Sequence, residues 1–336
     1  MKQGEDFQIL LQKYFLVRLM GQQKVSPNTV QAYKDTFRLY LRYLNDDTGI
    51  SPNSVNMSHF TTDTIIGFLK YLETKRNNTG KTINNRLAAI KSFLEFVSYE
   101  SPEYLGNIRK IKAIPFRKTD KKEVAYLTKN EMNALLDACD QSDTEGRRDH
   151  IMLLLLYNTG MRVSELVSLK GKDIFSLDNL KGYIRIYGKG RKERSVPLWK
   201  STAEYLRNYM KAHGISCDDY LLSGRNVPHL TRSGIRYRIE RIVLKASDNC
   251  SSLRTKNVTA HVFRHSTAMS MLQSGVDIST IAIWLGHESI ETTHKYMIAD
   301  LKLKDHALSK VQEPNMDQAS LRYLVDNDIL QFLESL

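Results

Sequence analysis

The sequence predicts a mainly α protein (α+β): a helical N-terminal domain, then a mostly helical second domain with a small antiparallel β-sheet. Three observations predict it. Apolar residues recur at helical spacing through the first 105 residues. A short segment, 183–196, instead alternates around a Gly-Lys-Gly turn. Between these regions lies a basic stretch with no period of its own. A length of 336 residues suits two domains, each able to bury a core.

In "SPNTVQAYKDTFRLYLRYLN", Ser26 is a candidate N-cap and Pro27 stands at the first helical position. Tyr33, Phe37, Tyr40 and Leu44 then form one apolar face. A second helix is expected from Thr62. A third, from Gly80, puts Ile83, Leu87, Ile90, Leu94 and Val97 on one side, with Asn84, Arg86 and Lys91 opposite. That polar side suits a phosphate backbone, although solvated helix faces look the same. Residues 107–123 are basic, contain Pro115 and read as an extended linker, so the domains are expected at 1–106 and 124–300.

The second domain begins with a capping box, Thr128 followed by Glu131. An apolar helix is expected over 149–158, then "TGMRVSELVSLKGKDI" and the alternating "GYIRIYGKGRKERSVPL", a hairpin or small sheet. Helices resume to Tyr296. Pro314 interrupts the tail, and a last amphipathic helix carries Leu321, Leu324, Ile329, Leu330 and Leu333.

Charge and composition exclude several classes. The 49 Lys+Arg against 37 Asp+Glu give +12, with 20 basic and 12 acidic residues in 1–123 and 25 and 19 in 124–300. Positive charge on both domains points to a polyanion such as nucleic acid. The longest apolar run, "IMLLLLY", is far shorter than the roughly 20 residues a membrane span needs. The N-terminus lacks a signal peptide's apolar region. Cys139, Cys217 and Cys250 are odd in number and widely spaced, as expected of reduced thiols in the cytoplasm, and show no zinc spacing.

Four places could carry chemistry: Arg162 and Glu165 in "TGMRVSEL", Lys189 in the hairpin turn, His261 and Arg264 in "HVFRHS", and His287 in "WLGHES" with Tyr296 nine residues on. Each alone has an ordinary explanation: a surface ion pair, a solvated turn, a helix start, an aromatic in a core. His261 and His265 stand at i and i+4, but no Glu stands as in HExxH, so no metal site is expected.

Taken in order, Arg162, Lys189, His261, Arg264, His287 and Tyr296 resemble the active-site signature of the tyrosine recombinases, the phage integrase family. The resemblance spans roughly 128–300, and the helical first domain is similar to that family's core-binding domain. It implies a DNA recombinase that needs no ATP, metal or other cofactor, in which Tyr296 attacks a phosphodiester to give a 3′-phosphotyrosyl bond and a free 5′ hydroxyl. Arg162 and Arg264 would grip the non-bridging oxygens, since guanidinium binds them bidentately and stays charged. Lys189 would protonate the departing 5′ oxygen, His261 would serve as base, and His287 would donate to the phosphate. A tyrosine needs such help: only about one in a thousand is phenolate at pH 7. Glu165 is expected to orient an Arg or His. Arg86, Lys91, Arg191, Lys192, Arg232 and Arg236 are candidate DNA contacts.

The resemblance further implies a simple two-domain member, working in the cytoplasm at the nucleoid, that clamps double-stranded DNA at recombination sites. Two protomers would bind each site and four would form the synapse. The 301–336 tail would dock on the neighbouring protomer, and an accessory DNA-bending protein would be compatible with this assembly. The expected role is integration, excision or transposition of a mobile element. The rival roles are resolution of chromosome or plasmid dimers and non-catalytic DNA-binding regulation.

Overall fold

The computed structural model describes residues 5–119, 125–177, 182–188, 193–224, 227–287 and 293. The chain divides into two compact units, Met1–Lys122 and Glu123–Leu336. Lys189, Arg191, Lys192, Tyr296 and the 301–336 tail lie outside the described residues.

The first unit is helical among its described residues. Helix α1 (Glu5–Lys13) continues into a wider π-helical stretch, Tyr14–Gln22. Helix α2 (Pro27–Thr48) starts where the Ser26 hydroxyl accepts the Thr29 N–H at 3.2 Å, with Pro27 at its first turn. Helix α3 (Thr62–Thr74) and helix α4 (Gly80–Glu100) are capped in the same way by Thr61 and Thr79. The five apolar residues expected on the α4 face are all buried. The core is rich in aromatic rings, and Phe93 on α4 is its centre. Its ring lies 5.2 to 5.9 Å from those of Phe37, Tyr14, Phe7 and Phe60, mostly edge-on, the favourable arrangement for two ring quadrupoles.

One expectation fails here. Residues 107–112 are not extended: they belong to helix α5 (Leu105–Lys112), with Ile108, Ile111 and Ile114 buried in the first unit's core. The three isoleucines repeat every third residue, a stripe too narrow to stand out among Arg109, Lys110 and Lys112. Those three cations stand in the last turn, where they complement the negative end of the helix dipole. The following residues are held by α4. Asn84 Nδ2 donates to the Arg117 carbonyl and its Oδ1 accepts the Arg117 N–H, both at 2.9 Å. Lys91 Nζ donates to the Ile114 carbonyl at 2.5 Å and lies 4.6 Å from the Phe116 ring centre.

The second unit starts with helix α6 (Lys129–Asp137), whose Thr128/Glu131 capping box forms as expected. Helix α7 (Thr144–Thr159) begins five residues before the expected apolar run, because Asp143 caps it. It buries Ile151, Met152, Leu153, Leu155 and Leu156 all round its axis and lies against helices α9 (Lys200–Ala212) and α11 (Ala260–Gln273). A helix this apolar on every side belongs in a core. Helix α8 (Val163–Val167) follows, then three strands: β1 (Ile174–Phe175), β2 (Tyr183–Tyr187) and β3 (Glu193–Pro197). They form one antiparallel sheet in the order β1-β2-β3, with Ile186 facing Arg194 and Tyr187 facing Glu193. The hairpin was expected; β1 was not. Helices α10 (Arg232–Ala246) and α12 (Ile278–Leu285) complete the α-helices of the described residues.

Gly160 joins α7 to the site. Its φ is +60°, which closes the helix in the left-handed region, and an added Cβ would overlap Leu285 Cδ2. Gly160→Ala should therefore cost at least about 1–2 kcal/mol from the backbone alone. Thermal denaturation of the full chain should show a Tm lower by about 2–4 °C for each kcal/mol lost.

Candidate active site

The sequence "TGMRVSEL" folds as a helix stop, a glycine turn and a helix start. Arg162 is extended (φ −74°, ψ 151°) and stands just before α8, not within a helix. Its backbone N–H donates to Glu165 Oε2 at 2.8 Å, and its guanidinium Nη1 donates to Glu165 Oε1 at 2.9 Å. Glu165 is only 6% exposed, so this is not the surface ion pair that an i,i+3 spacing suggests.

The carbonyl end of α12 collects the rest of the site. Gly286, at φ +66°, closes the helix as a Schellman turn: its N–H donates to the Ile283 carbonyl (3.0 Å) and the His287 N–H donates to that of Ala282 (2.9 Å). The next three carbonyls each accept from a different arginine. Arg194 Nε donates to Trp284 O at 3.0 Å, Arg264 Nη2 to Leu285 O at 2.7 Å, and Arg162 Nη2 to Gly286 O at 3.3 Å. Arg264, buried to 3% exposure on α11, also donates from Nη1 to the Gly160 carbonyl at 2.7 Å. Arg162 and Arg264 are thus held on adjacent peptides of one helix end.

Arg194 was missed in the sequence. It lies on β3, between the exposed Glu193 and Ser195, on the same face as the buried Val196. Period-two alternation in "ERSVP" would have placed it inward. Its Nη1 and Nη2 grip Glu165 Oε1 and Oε2 at 3.1 and 2.8 Å. Burial opposes the Glu165 carboxylate, but the hydrogen bonds and charge of Arg194, then those of Arg162, outweigh it and hold its pKa below the usual range.

The two histidines are kept neutral. Burial first, then Arg264, Arg162, His265 and Arg194, lower the His287 pKa to about 4. His261 is shifted down for the same reasons, desolvation and then Arg264 and Arg162. His287 Nδ1 lies 2.8 Å from the hydroxyl of the buried Thr293. The structure therefore brings together Arg162, Glu165, His261, Arg264 and His287.

The candidate DNA contacts are placed differently. Lys91 is engaged within its own unit, as described, and burial lowers its pKa. Arg86 is half-buried, with Nη1 3.5 Å from Thr36 Oγ1. Arg232 is exposed at the start of α10, and Arg236 is exposed but paired with Glu240 at 2.7 Å.

The His287 shift has a signed consequence. Above pH 6.5 the imidazole is neutral whether the chain is folded or not, and it contributes nothing. Between pH 6.5 and about 4 the unfolded chain takes up a proton that the folded one refuses, so stability falls with falling pH. An imidazole NMR titration should place His287 near pH 4, and Arg264→Ala should move that titration upward.

Comparison with known proteins identifies the family. Residues 125–302 match the model described as the phage integrase family, and residues 13–100 match that of the phage integrase N-terminal SAM-like domain. The Sinorhizobium fredii protein y4rC, whose name assigns it as an integrase/recombinase, is 39% identical over 97% of both chains. Tyrosine recombinase XerD of Staphylococcus epidermidis is 32% identical over 81% of this chain and 88% of its own. Among solved structures, the fold is similar to that of the Tn1549 transposon integrase in complex with circular intermediate DNA (TM-score 0.68, 17% identity, 91% of this chain and 98% of that one). It is also similar to the XerH recombinase bound to a palindromic difH substrate (TM-score 0.66, 20% identity, 92% and 90%). The chain belongs to the phage integrase family of tyrosine recombinases, enzymes that cut and rejoin DNA without ATP.

Proposed function

We propose that the cluster of Arg162, Arg264, His261 and His287 binds the scissile phosphate of double-stranded DNA and that Tyr296 attacks it. The observation that carries this reading is the pair of guanidiniums fixed on adjacent carbonyls beside two neutral histidines. As the transition state forms, negative charge grows on the non-bridging oxygens, and pre-placed cations stabilise it without reorganising. A neutral His261 can accept the phenol proton. The bond from phosphorus to the Tyr296 oxygen forms as the bond to the 5′ oxygen breaks, and Lys189 supplies the proton that oxygen needs. Religation reverses these steps. If the Thr293 hydroxyl donates to His287 Nδ1, the remaining imidazole proton sits on Nε2, which suits it to donate to the phosphate.

The nearest biological reading is movement of a mobile element, supported by the similarity to an assigned integrase/recombinase over nearly the whole chain. The similarity to XerD at 32% identity favours a second reading, dimer resolution. In either case the protein would work on DNA at the nucleoid, two protomers to a site and four in the synapse, as the DNA-bound dimer of lambda integrase illustrates for the first step. No helix among the described residues is long and apolar enough to cross a membrane.

The test is covalent capture. The protein and its Tyr296→Phe variant are incubated with nicked DNA flanking the gene and run on denaturing gels. An adduct formed by the tyrosine form alone, without ATP, is expected; an equal adduct from the Phe variant would remove Tyr296 from its role. Deleting 315–336 should reduce both synapsis on a native gel and cleavage, because the tail would dock on the neighbouring protomer. Unchanged assembly and activity would place the tail elsewhere.

A further inference from the structure

Glu165 presents an electrostatic difficulty. It orients Arg162 through two hydrogen bonds, yet a carboxylate 2.9 Å from that guanidinium also cancels its charge. An arginine neutralised in this way would hold a phosphate poorly. Arg194 resolves the conflict. It binds both carboxylate oxygens of Glu165 from the other side, at 3.1 and 2.8 Å, and its third nitrogen is fixed on the Trp284 carbonyl at 3.0 Å.

We propose that Arg194 is a positioning residue that serves as the counter-cation of Glu165, so that Glu165 can orient Arg162 without cancelling its charge toward the scissile phosphate. The inference rests on the phosphate-binding role proposed for Arg162 and deepens it. Two guanidiniums around one carboxylate carry a net charge of one, which Arg264 raises to two at the helix end. The geometry also keeps Arg194 from a direct contact with DNA. Its side chain is 11% exposed and sits on a strand face that elsewhere holds Val196, so it cannot reach DNA in solvent as Arg232 can. Gly286 belongs to the same arrangement: a Cβ there would stand 3.1 Å from Arg194 Cδ and Nη1, so the left-handed glycine leaves room for the guanidinium. Lysine could not replace it, because a single ammonium cannot grip two carboxylate oxygens and a carbonyl in one plane.

The test uses the scissile group itself. A methylphosphonate at the mapped cleavage position lacks one charged oxygen and asks less of the guanidiniums. Single-turnover adduct formation is measured for the wild type, Arg162→Ala, Arg194→Ala and Arg194→Lys on phosphodiester and on methylphosphonate duplexes, alongside DNA affinity. Arg194→Ala should slow cleavage of the phosphodiester by about 100-fold, the loss expected when a group is misplaced by an ångström. DNA affinity should stay within about twofold. The methylphosphonate should remove most of that deficit, as it does for Arg162→Ala, and Arg194→Lys should lie between wild type and Arg194→Ala. A deficit in Arg194→Ala that persists on methylphosphonate while that of Arg162→Ala is relieved would overturn the proposal, since a merely structural arginine would behave so. Wild-type-like cleavage by Arg194→Ala would overturn it too. Where Arg194→Ala fails to fold, Arg194→Lys carries the same comparison. Absence of any Tyr296-dependent adduct from the wild type would instead refute the phosphate-binding reading itself, and this inference with it.

Discussion

The carbonyl end of α12 is the point on which the site depends. A helix leaves its last carbonyls without partners inside the helix, and a buried one must find a donor elsewhere. Here the Schellman turn at Gly286 satisfies two, and three arginines satisfy the next three. Each arginine comes from a different place: Arg162 before α8, Arg194 on β3, Arg264 on α11. A hydrogen bond involving a charged group contributes about 1.5–3 kcal/mol. The negative end of the helix dipole adds to the attraction. Four elements are therefore fixed to one another by a requirement that is purely local to a helix end, and His287, the next residue, is placed by the same bonds.

Burial and the same field together set the chemistry of the histidines. Burial disfavours an imidazolium at both His261 and His287, and the nearby guanidiniums, Arg264 and Arg162 at both and Arg194 at His287, add to it. A site that held an anion in this way would keep its histidines as free bases. Arginine is suited to this because it stays charged at physiological pH, whereas a buried lysine would release its proton. An incoming phosphate would compensate the charge that the protein leaves uncompensated in the free state.

Where local chemistry decides, the sequence is readable. Ser26, Thr128 and the apolar face of α4 all form as their spacing predicts, because caps and periodicity act within one turn or one face. The order Arg162, His261, Arg264, His287 is legible for a different reason: it resembles the tyrosine recombinase signature, and phosphate chemistry would give each residue type a purpose. Helix α5 was hidden because its isoleucine stripe is narrow and its cations resemble a linker. Arg194 was hidden because its partners, Glu165 and Trp284, are 29 and 90 residues away, and no local pattern records such a bond. Only the alternation in "ERSVP" gave a hint, and it predicts the inward face without naming what lies there.

These placements change the meaning of the count of 49 Lys and Arg. A cation contributes to counterion release only if it can approach a phosphate. Lys91 and the Asn84–Arg117 pair hold residues 114–117 against α4 within the first unit. Lys256 binds Glu131 and the Tyr126 carbonyl, and Arg238 binds Asp149 and Glu145. Arg194 is occupied with Glu165. These basic residues organise the units, so the count of Lys and Arg is larger than the number of cations free to meet a polyanion. Two classes of basic residue remain distinct in consequence: exposed ones such as Arg232, whose attraction for any polyanion is screened by salt, and the buried or half-buried cluster at the end of α12. In that cluster low dielectric and fixed geometry preserve the charge against screening. On the proposed reading, affinity and chemistry would rest on different cations in one chain, and a change in one class need not alter the other.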